Sequence, residues 1–191
     1  MVYAGLGTGA AGGVGAIDLC AEGVADLGGN AESPLIKQPL RECNVKIVEV
    51  TQHDFNEWLN LALKLWSDDF AEAMQITLTE ILQSPRQAGF LIRNDAGTAI
   101  GFMNLSLRSD YVPGASRSPV AYIEGIYVED EYRKQGVGTA LIHYAEQWAL
   151  EHGCVELASD ALLDNAISHE FHSKMGFQEV ERVVAYIKPI L

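Results

Sequence analysis

No run of apolar residues approaches the roughly 18 needed to cross a bilayer, so no membrane span is expected. Cysteine is scarce. Cys20, Cys43 and Cys154 are odd in number, far apart and free of any CxxC spacing. That argues against a disulfide framework or a structural zinc site and suits a reducing compartment. Basic residues are scarce as well: 13 Lys and Arg stand against 26 Asp and Glu, a formal charge of −13. Such an excess repels phosphates, so neither nucleic acid nor an anionic membrane is expected as a partner. It favours a cationic small molecule, although an acidic surface kept for solubility is the commoner cause of such a charge. What is present suffices for a core: 191 residues, 48% of them apolar, the balance of one soluble domain or one domain with an appendage.

The chain changes character near residue 44. Residues 1–44 hold nine of the 18 glycines but only two basic residues, Lys37 and Arg41. The run Gly5-Leu-Gly-Thr-Gly-Ala-Ala-Gly-Gly-Val-Gly15 is of low complexity and gives weak support to any regular element. It contains Gly7-x-Gly9-x-x-Gly12, the spacing of a dinucleotide-binding turn, but nothing before Gly5 can form the strand that motif requires. A signal peptide fits no better, since Met1 to Gly5 carries no basic residue and no continuous apolar stretch comes after it. Residues 1–44 are therefore read as a flexible Gly/Ala-rich extension, and 45–191 as the folded domain. That domain keeps 11 basic against 21 acidic residues.

From Val45 the pattern becomes periodic. Val45-Lys-Ile-Val-Glu-Val50 alternates like a strand. Thr51-x-x-Asp54 opens a helix with Phe55, Trp58, Leu59, Ala62, Leu65 and Trp66 at helical spacing. A second helix is expected over 69–82, stopping before Pro85. Residues 89–93 and 98–107 form a hairpin about Asn94-Asp-Ala-Gly97, and 108–119 a polar loop. A strongly apolar strand over 121–128 is interrupted by one carboxylate, Glu124. The order βααβββ excludes a simple Rossmann alternation.

The stretch Gly125-Ile-Tyr-Val-Glu-Asp-Glu-Tyr-Arg-Lys-Gln-Gly-Val-Gly138 carries the clearest chemistry. A strand ends at Val128, and Arg133-x-x-Gly136-x-Gly138 opens a helix that stops at Gly153. Small residues at a helix start let a ligand approach, and the first free N–H groups with the positive end of the macrodipole make an anion cradle suited to pyrophosphate. A Gly-rich turn entering a surface helix is the plainer alternative.

Residues 128–138, with Arg133, Gly136 and Gly138, resemble the acetyl-CoA pyrophosphate loop of the GNAT superfamily of N-acyltransferases. The chain beyond the loop agrees: a strand over 155–158, Asn165 leading a helix that ends at Met175-Gly-Phe177, and a final strand near 180–188. The resemblance covers nearly all of 45–191 and none of the extension. It implies an α+β fold with a central mixed, mostly antiparallel sheet, helices on both faces, and two neighbouring parallel strands that splay around the thioester-bearing arm of acetyl-CoA. By the same resemblance Ile126, Tyr127 and Val128 offer backbone to that arm, Arg133, Lys134, Gln135, Gly136, Val137, Gly138 and Thr139 surround the pyrophosphate, and Asn165 approaches the arm. Acetyl-CoA is then the co-substrate, and no metal is expected.

A closer likeness lies in Leu65-Trp66, Arg108-Ser-Asp-Tyr111-Val, Ser118-Pro-Val-Ala-Tyr-Ile-Glu124-Gly-Ile, Ala158-Ser-Asp160 and Glu181-Arg-Val-Val. These resemble the aminoglycoside 6′-N-acetyltransferases, bacterial antibiotic-resistance enzymes. The resemblance implies that Trp66, Tyr111, Glu124, Asp160 and Glu181 line the aminoglycoside side of the cleft.

The residue types make independent sense. A polycationic sugar calls for several carboxylates and for aromatic faces. An alkyl ammonium with a pKa near 10.4 is only about one part in 10³ neutral at pH 7, so its proton must be accepted before nitrogen attacks the thioester. Glu124 is the candidate base; a buried Glu satisfied by an Arg is the alternative. Asp160 is a second candidate, or else a turn aspartate. Glu181, on the expected last strand, suits a distal ammonium or an exposed salt bridge. Many superfamily members place a tyrosine seven residues after the helix-opening Asn, where it protonates the leaving thiolate; here that position is His172. Imidazolium can donate a proton near neutral pH, though a packed, satisfied ring is the alternative. A thiol pKa near 8.5 also lets thiolate leave unaided. His169 shares the helix face, but a zinc pair would need further ligands.

The expectation is direct acetyl transfer from acetyl-CoA to an amine, most naturally the 6′-amine, of a cationic aminoglycoside, with no covalent enzyme intermediate. A backbone N–H near Val128 would meet the developing oxyanion. A cytoplasmic bacterial homodimer is expected. The competing classes are a polyamine or peptide N-acetyltransferase and a non-catalytic acyl-CoA sensor.

Overall fold

The computed structural model describes residues 17–18, 45–66 and 71–190. The expected flexible extension lies almost wholly outside those residues, as does the expected start of the second helix. The described elements are β1 Ile17–Asp18, β2 Lys46–Glu49, α1 Phe55–Leu65, α2 Ala71–Gln83, β3 Gln87–Arg93, β4 Ala99–Arg108, β5 Val120–Val128, α3 Val137–Glu151, β6 Leu157–Ser159 and α4 Ala166–Lys174. The strands lie side by side in chain order; every neighbouring pair is antiparallel except β5 and β6, which are parallel. This is the mixed, mostly antiparallel sheet of the expected α+β fold, with its one parallel pair.

Two apolar layers sandwich the sheet. On one face α1 and α2 bury Trp58, Leu61, Ala62, Met74 and Leu78 against Leu91 and Phe102. On the other, α3 buries Val137, Leu141, Ile142, Ala145 and Trp148 against Ile47, Phe90, Ile92, Met103 and Ile123. A capping box starts the first helical turn: the Asp54 carboxylate accepts from the Thr51 N–H at 3.0 Å. Arg93 of β3 then donates to Asp54 at 2.8 Å and to Glu57 at 2.6 Å, tying α1 to the sheet.

One irregularity in β5 shapes everything downstream. Asn104 faces Gly125 across the ladder and Leu105 faces Ile123, so Glu124 has no opposite residue and forms a β-bulge. Strict alternation would put Glu124 and Gly125 on opposite faces. The bulge instead switches parity: Ala121 and Ile123, then Ile126 and Val128, all pack into the α3 layer. Pairing of β5 with β6 covers only 121–123 against 157–159 and stops at the bulge. Beyond it, among the described residues, β5 is paired on its β4 side alone.

The C-terminal expectation is not met. Residues 177–190 form no strand, and Val183, Val184, Tyr186, Ile187 and Ile190 are each more than two-thirds exposed. Their apolar content reads as a strand, yet a strand needs an edge to pair with, and none is joined to them among the described residues. The strand expected over 155–158 is displaced to Leu157–Ser159, with Val155 exposed.

Candidate active site

At the end of β5 the chain turns through a 3₁₀ segment, Asp130–Tyr132, into α3. Gly136, the N-cap of α3, has φ of 89°, a conformation that a side chain would strain. The first N–H to bond back within the helix is that of Ala140, to the Gly136 carbonyl at 3.0 Å. The N–H groups of Val137, Gly138 and Thr139 therefore have no intrahelical acceptor. No side chain caps them, and the first turn contains no acid. A pyrophosphate fits this turn, because the free donors and the helix dipole act together.

Other residues of the loop hold its shape. The Arg133 Nε donates to the Val128 carbonyl at 2.8 Å, and its Nη1 pairs with Asp130 at 2.7 Å. The Gln135 amide donates to the Glu131 carbonyl at 2.6 Å, and Lys134 takes a positive φ of 59°. Gly138 faces α4, where a Cβ would lie 2.9 Å from the Phe171 ring; its smallness serves helix packing. The Glu129 N–H bonds the Ile100 carbonyl on β4 at 2.9 Å. By alternation the Val128 amide turns to the opposite edge, where β6 no longer pairs. That edge offers main-chain groups to an extended, amide-bearing arm.

The second cluster is built from side chains on the α1 face. On β4, Asn104, Ser106 and Arg108 alternate outward below Phe102. Asn104 is buried and accepts the Trp58 indole N–H at 2.9 Å. Ser106 donates to Oε1 of Glu124. Arg108 forks onto the same carboxylate, Nε to Oε1 at 2.9 Å and Nη2 to Oε2 at 2.6 Å. Its guanidinium carbon lies 3.3 Å from the centroid of the Tyr122 ring, and the Tyr122 hydroxyl donates to Asp160 at 3.0 Å. Burial works against the charge of Arg108, but the hydrogen bonds and charge of Glu124 outweigh it and raise its pKa. Burial, then the negative charge of Asp160, pushes the Tyr122 phenol up to about 12. Trp66 closes this side: a Cβ on Gly125 would meet its ring at 2.4 Å, so the indole lies on bare backbone beside Glu124.

Glu124, Asp160 and Trp66 are thus brought together, with Glu124 satisfied by an arginine. Tyr111 is 84% exposed, on a loop anchored by Val112, which packs with Val120 and Tyr122. Glu156 fastens the same loop by accepting from the Ser116 N–H at 3.0 Å and the Ser116 hydroxyl at 2.8 Å. Glu181 lies in the strandless C-terminal segment and is exposed; its neighbour Val180 rests against Gly114 of that loop. Asn165 is the N-cap of α4, its side-chain oxygen accepting from the Ser168 N–H at 3.0 Å. His172 has both ring nitrogens engaged: Nδ1 donates to the Ser168 carbonyl at 2.7 Å, and Nε2 lies 3.0 Å from the Ser159 hydroxyl. It clasps α4 to β6. His169 turns elsewhere, to the Leu162 carbonyl at 3.1 Å.

Sequence reasoning passed over Ser106, Arg108 and Tyr122 as site residues, and it missed the bulge. A signal for the bulge was available. The apolar parity changes from odd (Ala121, Ile123) to even (Ile126, Val128) across Glu124-Gly125, which one inserted residue explains.

Residues 55–177 match the model of the acetyltransferase (GNAT) family. Among curated proteins, the aminoglycoside N(6′)-acetyltransferase type 1 of Acinetobacter genomosp. 13 is 41% identical over 146 residues, covering 76% of this chain and 99% of the relative. That of Acinetobacter haemolyticus is 42% identical over the same shares. Among solved structures, AAC(6′)-Iy in complex with the bisubstrate analogue CoA-S-monomethyl-acetylneamine is similar, with a TM-score of 0.72 and 38% identity over 76% of this chain and 98% of that one. The 6′-N-acetyltransferase AAC(6′)-Ih from Acinetobacter baumannii gives a TM-score of 0.71 at 38% identity, over 76% and 99% of the two chains.

Proposed function

The chain belongs to the acetyltransferase (GNAT) family, and from that premise we propose that it transfers acetyl from acetyl-CoA to the 6′-amino group of an aminoglycoside, conferring resistance. One observation carries the reading furthest. At the bulge the chain juxtaposes a one-sided strand edge leading to an uncapped helix start with a carboxylate cluster beside an indole face. The first suits an acyl-CoA and the second a cationic sugar.

In this reading the α3 turn holds the pyrophosphate and the 126–128 backbone aligns the arm, with the Val128 N–H toward the thioester oxygen. Glu124, whose carboxylate is held by Ser106 and Arg108, anchors the reacting ammonium. Asp160, with a single Tyr122 donor among the described residues, takes up its proton, directly or through water. The free amine then attacks the thioester carbon, the C–S bond breaks, and the proton shed by the nitrogen passes to the departing thiolate. His172, engaged on both nitrogens, serves chiefly to hold α4 on β6. Trp66 and Tyr111 flank the sugar, and Glu181 meets a distal ammonium. Residues 45–191 carry the activity by themselves.

A homodimer in the cytoplasm completes the proposal. The exposed apolar side chains of 183–190 support it, since burying them against a second copy removes them from water. Sedimentation of the full chain and of a chain ending at residue 179 tests this: the shortened chain should be monomeric. The function itself is tested by thiol release from acetyl-CoA with kanamycin or tobramycin, beside spermidine and a lysine peptide. Turnover with the aminoglycosides alone supports the reading. Turnover with spermidine or peptide alone replaces the acceptor, and CoA binding without any turnover points to a sensor.

A further inference from the structure

The Glu124 carboxylate is held more fully than an anchor for substrate alone would require. An ionised carboxylate offers about four lone-pair sites. Ser106 and Arg108 Nε occupy two on Oε1, and Arg108 Nη2 occupies one on Oε2. One site on Oε2 is left, enough for a single N–H. The same guanidinium lies on the Tyr122 ring, whose hydroxyl holds Asp160, so one side chain joins both carboxylates. The charged and titratable groups of this network are Arg108 from β4, Glu124 and Tyr122 from β5, and Asp160 after β6. From α1 the facing residues are the uncharged Leu65 and Trp66.

We infer that Arg108 is a positioning residue for the acceptor: acting through Glu124, it fixes the carboxylate and leaves the cluster with one net negative charge, matched to one ammonium group. This rests on the proposed acetylation of a cationic amine. The charge arithmetic separates it from a merely structural arginine. Without Arg108 the two carboxylates carry their charge uncompensated, so a polycation binds at least as well, but Glu124 is free to rotate and the amine is no longer aimed. Binding and turnover then change in opposite senses, the pattern of lost orientation rather than lost affinity.

The experiment compares wild type, Arg108→Gln, Arg108→Lys and Glu124→Gln by calorimetric titration with kanamycin and by steady-state kinetics, with circular dichroism to establish folding. For Arg108→Gln the expected result is kcat lowered at least tenfold, with acceptor Kd and KM unchanged or lower. Arg108→Lys should recover only part of kcat, since a point charge cannot fork onto both oxygens. Glu124→Gln should instead raise the acceptor Kd. If folded Arg108→Gln keeps its kcat, or raises the acceptor Kd, the positioning role is overturned. If wild type neither binds nor acetylates the aminoglycoside, the functional reading falls, and this inference with it.

Discussion

The two ends of the proposed site are made of different material. The cofactor end consists of main chain: a left-handed glycine, three first-turn N–H groups and a strand edge released by a bulge. The acceptor end consists of side chains from four elements, Trp66 closing α1, Ser106 and Arg108 on β4, Tyr122 and Glu124 on β5, and Asp160 beyond β6. A backbone site tolerates many residue identities provided its few conformational requirements hold. A side-chain site fails when one partner is lost, because the remaining charges go uncompensated. The cofactor end is accordingly a module of fold, and the acceptor end is where this chain's chemistry is individual.

The largest effect should break the acceptor end alone. Glu124→Gln or Asp160→Asn is expected to lower kcat/KM for the aminoglycoside by about 100-fold or more while leaving the acetyl-CoA Kd within about twofold, as removal of an anchor or proton acceptor implies. Equal loss of both affinities would mean that the two ends are not separable. Next comes the converse. Gly136→Val forces a β-branched residue to φ of 89°, costing about 1–2 kcal/mol locally. The acetyl-CoA KM should rise about tenfold, with aminoglycoside affinity measured by calorimetry unchanged.

A third variant tests the shared wall. In Gly125→Ala the new Cβ would lie 2.4 Å from the Trp66 ring, so the indole or α1 must move. Overpacking of this kind costs about 1–3 kcal/mol, seen as a Tm lowered by several degrees, with acceptor KM raised more than acetyl-CoA KM. The smallest effect concerns pH. The folded state raises the Tyr122 pKa from 10.0 to about 12, so it favours the neutral phenol. That contribution to stability is fully present below pH 10 and is lost as pH rises toward 12. Urea midpoints measured from pH 8 to 11.5 should fall more steeply for wild type than for Tyr122→Phe.

The same contrast explains what could be read from the chain directly. The turn into α3 was legible because its requirements are local: Gly136 at a helix start, small residues after it, and Asn165 capping the next helix all act within a few residues. Glu124 stood out because a carboxylate in an apolar strand demands a partner, but the partner's identity was not legible. Arg108 is 16 residues away, and only the β4–β5 register brings it onto Glu124. The bulge that sets this register left a trace in the apolar parity, yet a parity change alone does not say where pairing with a third strand ends. The segment 180–188 misled for the opposite reason: its apolar pattern states a preference for pairing, while the edge it would join lies outside its own sequence.

Local spacing thus determined by itself the order of elements as far as α4 and the glycine-led turn into α3, because helix starts and turns are properties of neighbouring residues. Tertiary structure alone decided which charges meet. The bulge at Glu124, the Arg108 fork, the Tyr122 bridge to Asp160 and the indole on Gly125 each join residues far apart in the chain, through contacts that form only once the sheet and its helices have packed.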